Sequence, residues 1–295
     1  MSIYRELLFN KKHLNKLTFA IFPCYFNLMN YRHKYHAGSF ADIVKHTVLL
    51  ELIDYLQKKP APYTFIDTHA GEGIYDLQQE SSQKTGEAQA GILRLLNYAG
   101  EHPANVARYI DLVKSCEYYP GSPMIAAQTL REQDVLILNE KHPETYQLLK
   151  QNIQRAAVHQ RDAYEFLPAV LPPKTNRGLV FIDPAFEDEL EMDHLTQCLA
   201  KCYERWPQGM YLIWLPIVGR SYYSPSDLQH AGFKNYLSIE FNVDLPSQDA
   251  PGLIGNSLLL INPPWQIETV LNPLLAHLWQ VLHNNPQSHW RIISY

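Results

Sequence analysis

Seven short apolar runs recur along the chain with helical stretches between them, and this alternation limits the fold more than any other feature. They are residues 63–67 (Tyr-Thr-Phe-Ile-Asp), 135–139, 156–159, 178–183 (Gly-Leu-Val-Phe-Ile-Asp), 210–215, 236–241 and 257–261. Continuous apolar runs fit strands buried on both faces, as in a parallel sheet covered by helices. Helical periodicity is read at 40–57, 124–131, 144–154 and 190–205. The pattern predicts an α/β fold with an open, doubly wound, Rossmann-like sheet. A turn-rich stretch, 242–256, joins the last two strands and predicts a hairpin, hence one antiparallel strand.

The first two strands are far apart. Asp67 and Glu140 lie 73 positions apart, whereas a simple βαβ unit takes about 30 residues. Helical periodicity at 85–115, broken near Gly100 and Pro103, predicts a small helical insert at about 76–117. The 295 residues fit one such domain, taken as 29–295, preceded by an extension at 1–28 that an over-called start would explain. Within that extension, 17–29 is apolar but short and interrupted by Pro23, so no membrane anchor is expected. Cys198 and Cys202 share a helix face and read as core thiols of a reducing compartment, so the chain is expected to be cytoplasmic.

The net charge of -5 excludes a globally basic nucleic-acid binder. Yet residues 1–59 carry nine Lys/Arg against four Asp/Glu, leaving the excess of negative charge on the remainder. A basic end on an acidic body can turn one face toward phosphates.

Four loops follow strands in order. Phe65-Ile-Asp67-Thr-His69-Ala-Gly71-Glu-Gly73 runs from a strand into a glycine-rich turn where backbone can approach a ligand. A dinucleotide fingerprint wants a third glycine where Asp76 stands, so a nicotinamide oxidoreductase is disfavoured. Glu140 ends the second strand, where a carboxylate can accept two ribose hydroxyls. Asp162 and Ala163 follow the third, where a carboxylate can take an adenine amino group and a backbone N–H the ring. Together these describe an adenosyl pocket, although each carboxylate also fits a helix cap.

The fourth loop is the most specific: Ile182-Asp183-Pro184-Ala185-Phe186, after the strongest strand. Enzymes that methylate exocyclic base amines carry Asp, Asn or Ser, then two prolines, then an aromatic residue at this place. The carboxylate of Asp183 and the carbonyl of Pro184 can accept both amine hydrogens and direct the nitrogen lone pair, while Phe186 stacks on an extruded base. Ala185 replaces the second proline, which costs the loop stiffness. Asn262-Pro263-Pro264-Trp265 matches the pattern letter by letter but follows the last strand; strand order favours Asp183, and the second match reads as a strand end with a proline stop and a buried indole.

Near the N-terminal end, Tyr31, Arg32, Lys34 and Lys45 alternate with aromatic residues and histidines, as suits RNA contact. His33, His36 and His46 match no zinc spacing well, so no metal is expected. Ser122 beside Pro123 reads as a helix N-cap within reach of the pocket.

With these blocks in place, the chain resembles the RlmJ family of bacterial 23S ribosomal RNA adenine-N6 methyltransferases. The resemblance runs from about Tyr31 to the C-terminus and rests on Tyr31-Arg-His-Lys-Tyr-His-Ala-Gly38, Ala41-Asp-Ile-Val-Lys-His-Thr47, Asp67–Gly73, Tyr119-Pro-Gly-Ser-Pro123, Arg131-Glu-Gln-Asp134, Ile182-Asp-Pro184 and Ile261-Asn-Pro-Pro-Trp265. It implies a class I methyltransferase sheet and S-adenosyl-L-methionine as cofactor, held by His46, His69, Ser122, Glu140, Asp162 and Ala163. It implies Asp183 as the catalytic residue, Tyr31 near the RNA, and adenine 2030 of 23S ribosomal RNA as the target. No membrane partner is implied, and a monomer is expected. A DNA adenine methyltransferase would use the same pocket, and a non-catalytic relative would keep the fold with Ala185 in the motif.

Overall fold

A computed structural model describes residues 36–78, 86–218, 221–222, 228, 231–246 and 252–295. Tyr31, Arg32, Lys34 and the 1–28 extension lie outside these residues.

The chain enters through helix α1 (Phe40–Gln57), whose start Ser39 caps by accepting from the Asp42 N–H at 3.4 Å. Sequence periodicity predicts one apolar stripe on this helix. Instead it is buried nearly all round, with Asp42, Lys45 and His46 each 3% exposed or less. The reason is its surroundings: α1 packs between the sheet, the helices that follow β2, and the last helix. Polar side chains on it must therefore find partners inside the protein.

Strand β1 (Thr64–Asp67) leads to the two-residue β2 (Ile74–Tyr75). Three helices follow, α2 (Glu87–Ala90), α3 (Ile92–Leu96) and α4 (Ala104–Ser115), before β3 (Tyr119–Pro120) returns to pair antiparallel with β2. Gly91 lets this segment lie directly on the chain before α1: the Ile92 N–H donates to the Gly38 carbonyl at 2.8 Å, and a Cβ on Gly91 would stand 2.1 Å from that oxygen.

The order continues with α5 (Ser122–Thr129), β4 (Val135–Asn139), α6 (Pro143–Asn152), β5 (Ala157–His159), α7 (Ala163–Val170), β6 (Gly178–Ile182), α8 (Glu191–Arg205), β7 (Met210–Val218) and β8 (Ser221–Tyr222). It ends with β9 (Tyr236–Asn242), β10 (Leu253–Ile261), α9 (Ile267–Leu282) and β11 (Trp290–Ser294). The main sheet runs β11-β9-β10-β7-β6-β1-β4-β5, with β8 beside β7. Strands β5, β4, β1, β6 and β7 are mutually parallel, while β9, β10 and β11 are joined antiparallel.

The hairpin expected near the end is therefore β9–β10. One core cluster lies between the sheet and α1, α5 and α9, and a second lies under α7 and α8. Cys198 and Cys202 sit in the second as free, buried thiols with sulfurs 3.7 Å apart. No helix of the described residues is long and apolar enough to cross a membrane.

After β1 the chain steps outward to β4 and β5, then returns to place β6 on the other side of β1. That reversal opens a crevice at the carboxyl ends of β1 and β6, where open α/β sheets bind ligands. Asp67 ends β1, and Asp183 follows β6.

Candidate active site

At the floor of the crevice Asp67 is fully buried. Its Oδ2 accepts from Ser122 Oγ at 2.7 Å and its Oδ1 from the His69 N–H at 3.1 Å. Burial pushes its carboxyl up to about 7, and the charge of Asp183 adds to this, while Ser122, the His69 N–H and Lys45 oppose it. Ser122 is thus a donor to Asp67 rather than the N-cap expected from sequence; Gly121 occupies the cap.

The glycine loop above it turns at Gly71 (φ 60°) and Gly73 (φ 81°). A Cβ on Gly71 would stand 2.2 Å from the Tyr75 hydroxyl, so only glycine fits. Glu140 closes the loop onto β4: its Oε2 accepts from the Gly71 N–H at 3.0 Å and its Oε1 from the His142 N–H at 2.8 Å. Burial raises its carboxyl, against the backbone N–H groups of His142, Gly71 and Lys141 and the nearby His142 ring. A carboxylate offers about four acceptor sites, so Glu140 keeps acceptor capacity for a ligand.

Asp162 caps α7 by accepting from the Tyr164 N–H at 3.0 Å, and its other oxygen meets Lys141 Nζ at 3.0 Å. Burial would raise its carboxyl, but Lys141 and the backbone N–H groups hold it below the usual range. Both readings of Asp162 from sequence, cap and pocket wall, thus share one residue. Ala163 is buried as the first residue of α7. His69 is partly buried, its Nδ1 2.8 Å from Thr68 Oγ1 and its ring edge-on to Tyr164; burial lowers its imidazole to about 4, so it is neutral at physiological pH. His46 is buried, with Nδ1 3.4 Å from the Tyr119 hydroxyl, which itself meets Tyr109 at 2.8 Å. His36 Nδ1 lies 2.7 Å from Glu87 Oε1.

Lys45 corrects an expectation. Its side chain is 4% exposed, which removes it from any role as a surface cation toward RNA. Its ammonium sits 2.8 Å from Asp42 Oδ1 and 2.7 Å from Asp183 Oδ2, and 5.5 Å from the centroid of the Trp214 ring. Asp42 and Lys45 stand three apart on α1 and can pair along it, but the helix also carries His46, Thr47, Glu51 and Asp54, so the spacing alone does not mark an internal pair. Pro184 is buried and Ala185 exposed. Phe186 takes φ 52°, uncommon for a large side chain, and its ring centroid lies 6.1 Å from that of Trp214.

The second motif match lies elsewhere. Ile261 pairs with Tyr211 near the start of β7, so Asn262 stands at the amino ends of the parallel strands. Its amide donates to the Pro207 and Gly209 carbonyls at 2.8 and 2.6 Å. Trp265, expected to be buried, is 85% exposed, because the chain turns outward at Asn262 and Gln266, both at positive φ. Sequence reasoning passed over Asp67 and Trp214; a carboxylate ending a fully apolar strand, as Asp67 does, was the available signal.

The family model described as Ribosomal RNA large subunit methyltransferase D, RlmJ, matches residues 60–293. Ribosomal RNA large subunit methyltransferase J of Escherichia coli (strain K12) is 40% identical over 262 residues, covering 85% of this chain and 93% of that protein. The protein of the same name from Haemophilus influenzae is 35% identical over 277 residues, covering 90% and 98%. A crystal structure of a Legionella pneumophila (strain Philadelphia 1) protein superposes with a TM-score of 0.80 at 31% identity, covering 88% of this chain and 98% of that one.

Proposed function

The chain belongs to the RlmJ family of ribosomal RNA large subunit methyltransferases, and from that premise we propose that it transfers a methyl group from S-adenosyl-L-methionine to the N6 amine of an adenine in 23S ribosomal RNA. The observation that carries the reading is the placement of Asp183, after the strand at the sheet reversal, held at 2.7 Å by a buried lysine.

The crevice fits an adenosyl ligand. Gly71, whose missing side chain makes room for the Tyr75 hydroxyl, lets the loop turn tightly beside it, Glu140 would accept from its ribose, and Asp162 and Ala163 would meet its adenine. His46, His69 and Ser122 line the same end of the sheet. The cofactor supplies a methyl group on a sulfonium, which is electrophilic without further activation.

The protein's own task is positioning. Asp183 and the Pro184 carbonyl accept the two N6 hydrogens and so aim the nitrogen lone pair. Phe186 stacks on the extruded base. Once methylated, the amine would be cationic, and one of its protons would pass to the Asp183 carboxylate. Lys45, bonded to Oδ2 of Asp183, keeps that carboxylate oriented beforehand. We place the reaction in the cytoplasm, carried out by a monomer, with Tyr31, Arg32 and Lys34 contacting the RNA.

The test is methyl transfer from labelled S-adenosylmethionine to ribosomal RNA lacking its own modifications, by wild type and Asp183→Ala. Label recovered as N6-methyladenine in large-subunit RNA and lost in the variant supports the reading. Bound cofactor with no transfer to any ribosomal RNA would refute it.

A further inference from the structure

We propose that Trp214 is a specificity-determining residue, whose indole N–H donates to a ring nitrogen of the target adenine, beside a buried polar position at Asn256. The proposal rests on Asp183–Phe186 being the base slot.

Ile182, the last residue of β6, pairs with Ile213 in the middle of β7, so Asp183 and Trp214 stand side by side where β6 ends. The indole lies between the ammonium that holds Asp183, 5.5 Å from its centroid, and the ring of Phe186, at 6.1 Å. Its Nε1 is enclosed and has no hydrogen-bond partner. One strand over, the register sets Leu258 opposite Trp214 and Asn256 opposite Pro216. Asn256 is therefore diagonal to Trp214 on the same face, at roughly 7 Å. It is fully buried, and neither atom of its carboxamide has a partner.

Buried polar groups are paired in the great majority of cases. Two neighbouring side chains without partners, beside the catalytic carboxylate, mark a place for polar atoms of a ligand. An indole nitrogen can only donate, so it needs an acceptor. Adenine carries acceptor nitrogens, N1 and N7, on both flanks of its amine. Guanine has an oxygen in place of that amine and a hydrogen on N1. A carboxylate that takes amine hydrogens next to an indole that gives one therefore suits adenine and rejects guanine at the N1 edge.

The experiment uses the RNA fragment that the wild type methylates, made with adenosine, 1-deazaadenosine or 7-deazaadenosine at the target. With adenosine, Trp214→Phe lowers kcat/KM about tenfold, while its affinity for S-adenosylhomocysteine stays that of the wild type. On the analogue that lacks the nitrogen facing the indole, the wild type slows by a similar factor and Trp214→Phe by no more. An equal loss on all three RNAs would mean a structural role and would overturn the proposal. If Trp214→Phe does not fold, Asn256→Leu is measured on the same RNAs, and coupling to one analogue or equal loss on all three decides in the same way. A wild type that methylates no adenine removes the base-slot reading itself, and this proposal with it.

Discussion

Lys45 Nζ lies 2.7 Å from Asp183 Oδ2 and 2.8 Å from Asp42 Oδ1, with the lysine and Asp42 side chains almost wholly enclosed. One ammonium thus joins the first helix to the loop after β6, and the candidate catalytic carboxylate is held by a residue 138 positions away.

Replacing Lys45 by Met leaves two carboxylates near each other without their shared cation. Breaking a buried pair in this way costs about 3–5 kcal/mol, so Lys45→Met is expected to lower the midpoint of urea unfolding markedly and to reduce methyl transfer at least a hundredfold. Adding Asp42→Asn removes one uncompensated charge and should recover part of the stability but not the activity, because Asp183 is still unheld. Equal recovery of both would show that Lys45 serves the fold alone.

The buried Asp67 carboxyl makes stability depend on pH. In the unfolded chain it ionises near 4, whereas in the fold it holds its proton up to about 7. The native state therefore binds more protons than the unfolded state between those values, and stability falls as pH rises through that window. Asp67→Asn keeps an acceptor for the His69 N–H and removes the titration. The melting temperature of wild type relative to this variant should decline from pH 4 to pH 7 and level off above it; a constant difference across that range would contradict the assignment.

At Gly71 the backbone is left-handed at φ 60°, and a methyl group would meet the Tyr75 hydroxyl at 2.2 Å. Gly71→Ala is expected to destabilise by about 1–2 kcal/mol from the backbone alone and to weaken cofactor binding further by moving the loop off Glu140. Tyr75→Phe in the same chain removes the clashing oxygen. Calorimetric titration with S-adenosylhomocysteine should then show affinity partly restored, and no restoration would point to the dihedral rather than the contact.

Two motif matches compete in this chain, and their positions separate them. Asp183 lies at the carboxyl edge of the sheet, whereas Asn262 ties the turn before β7 through two carbonyls at the opposite edge. Asp183→Asn should abolish transfer with cofactor binding intact. Asn262→Ala removes two hydrogen bonds at least partly open to water, each worth about 0.5–1.5 kcal/mol, with kcat near that of the wild type. The reverse pattern would move the active site to the other end of the molecule.

Where the fold was readable in the sequence, burial had made it so. Strands β1, β6, β7 and β10 are covered on both faces and, with β4, appear as largely apolar runs, and the reversal at β6 follows from their order. Strand β11 escaped because it is an edge strand, paired only to β9 and half exposed, so Trp290–Ser294 carries no clear pattern. Helices α7 and α9 contain Pro168 and Pro273, which read as breaks. In the site, Glu140, Asp162 and Asp183 are visible because each stands in the loop that follows a strand. Lys45 was misread because a charged side chain in a basic stretch suggests solvent; only the tertiary packing of α1 on the sheet shows that its partners are carboxylates. Trp214 looks like one more apolar residue of β7, and its unpaired N–H exists only in three dimensions.

Ala185 is the one departure from the expected motif, and it offers a gain-of-function test. The residue is exposed, and among the described residues its N–H makes no hydrogen bond that a proline would forfeit. Restoring proline there restricts the unfolded chain and stiffens the loop between Pro184 and Phe186, worth about 0.4–1 kcal/mol where the backbone is compatible. Because catalysis here depends on holding the amine in line rather than on a strong base, stiffening should raise the rate more than the affinity. Ala185→Pro is expected to increase single-turnover methyl transfer several-fold, with RNA affinity changed little. A slower variant would mean that the loop must move to admit the base, and that alanine at 185 is an adaptation to that motion rather than a loss.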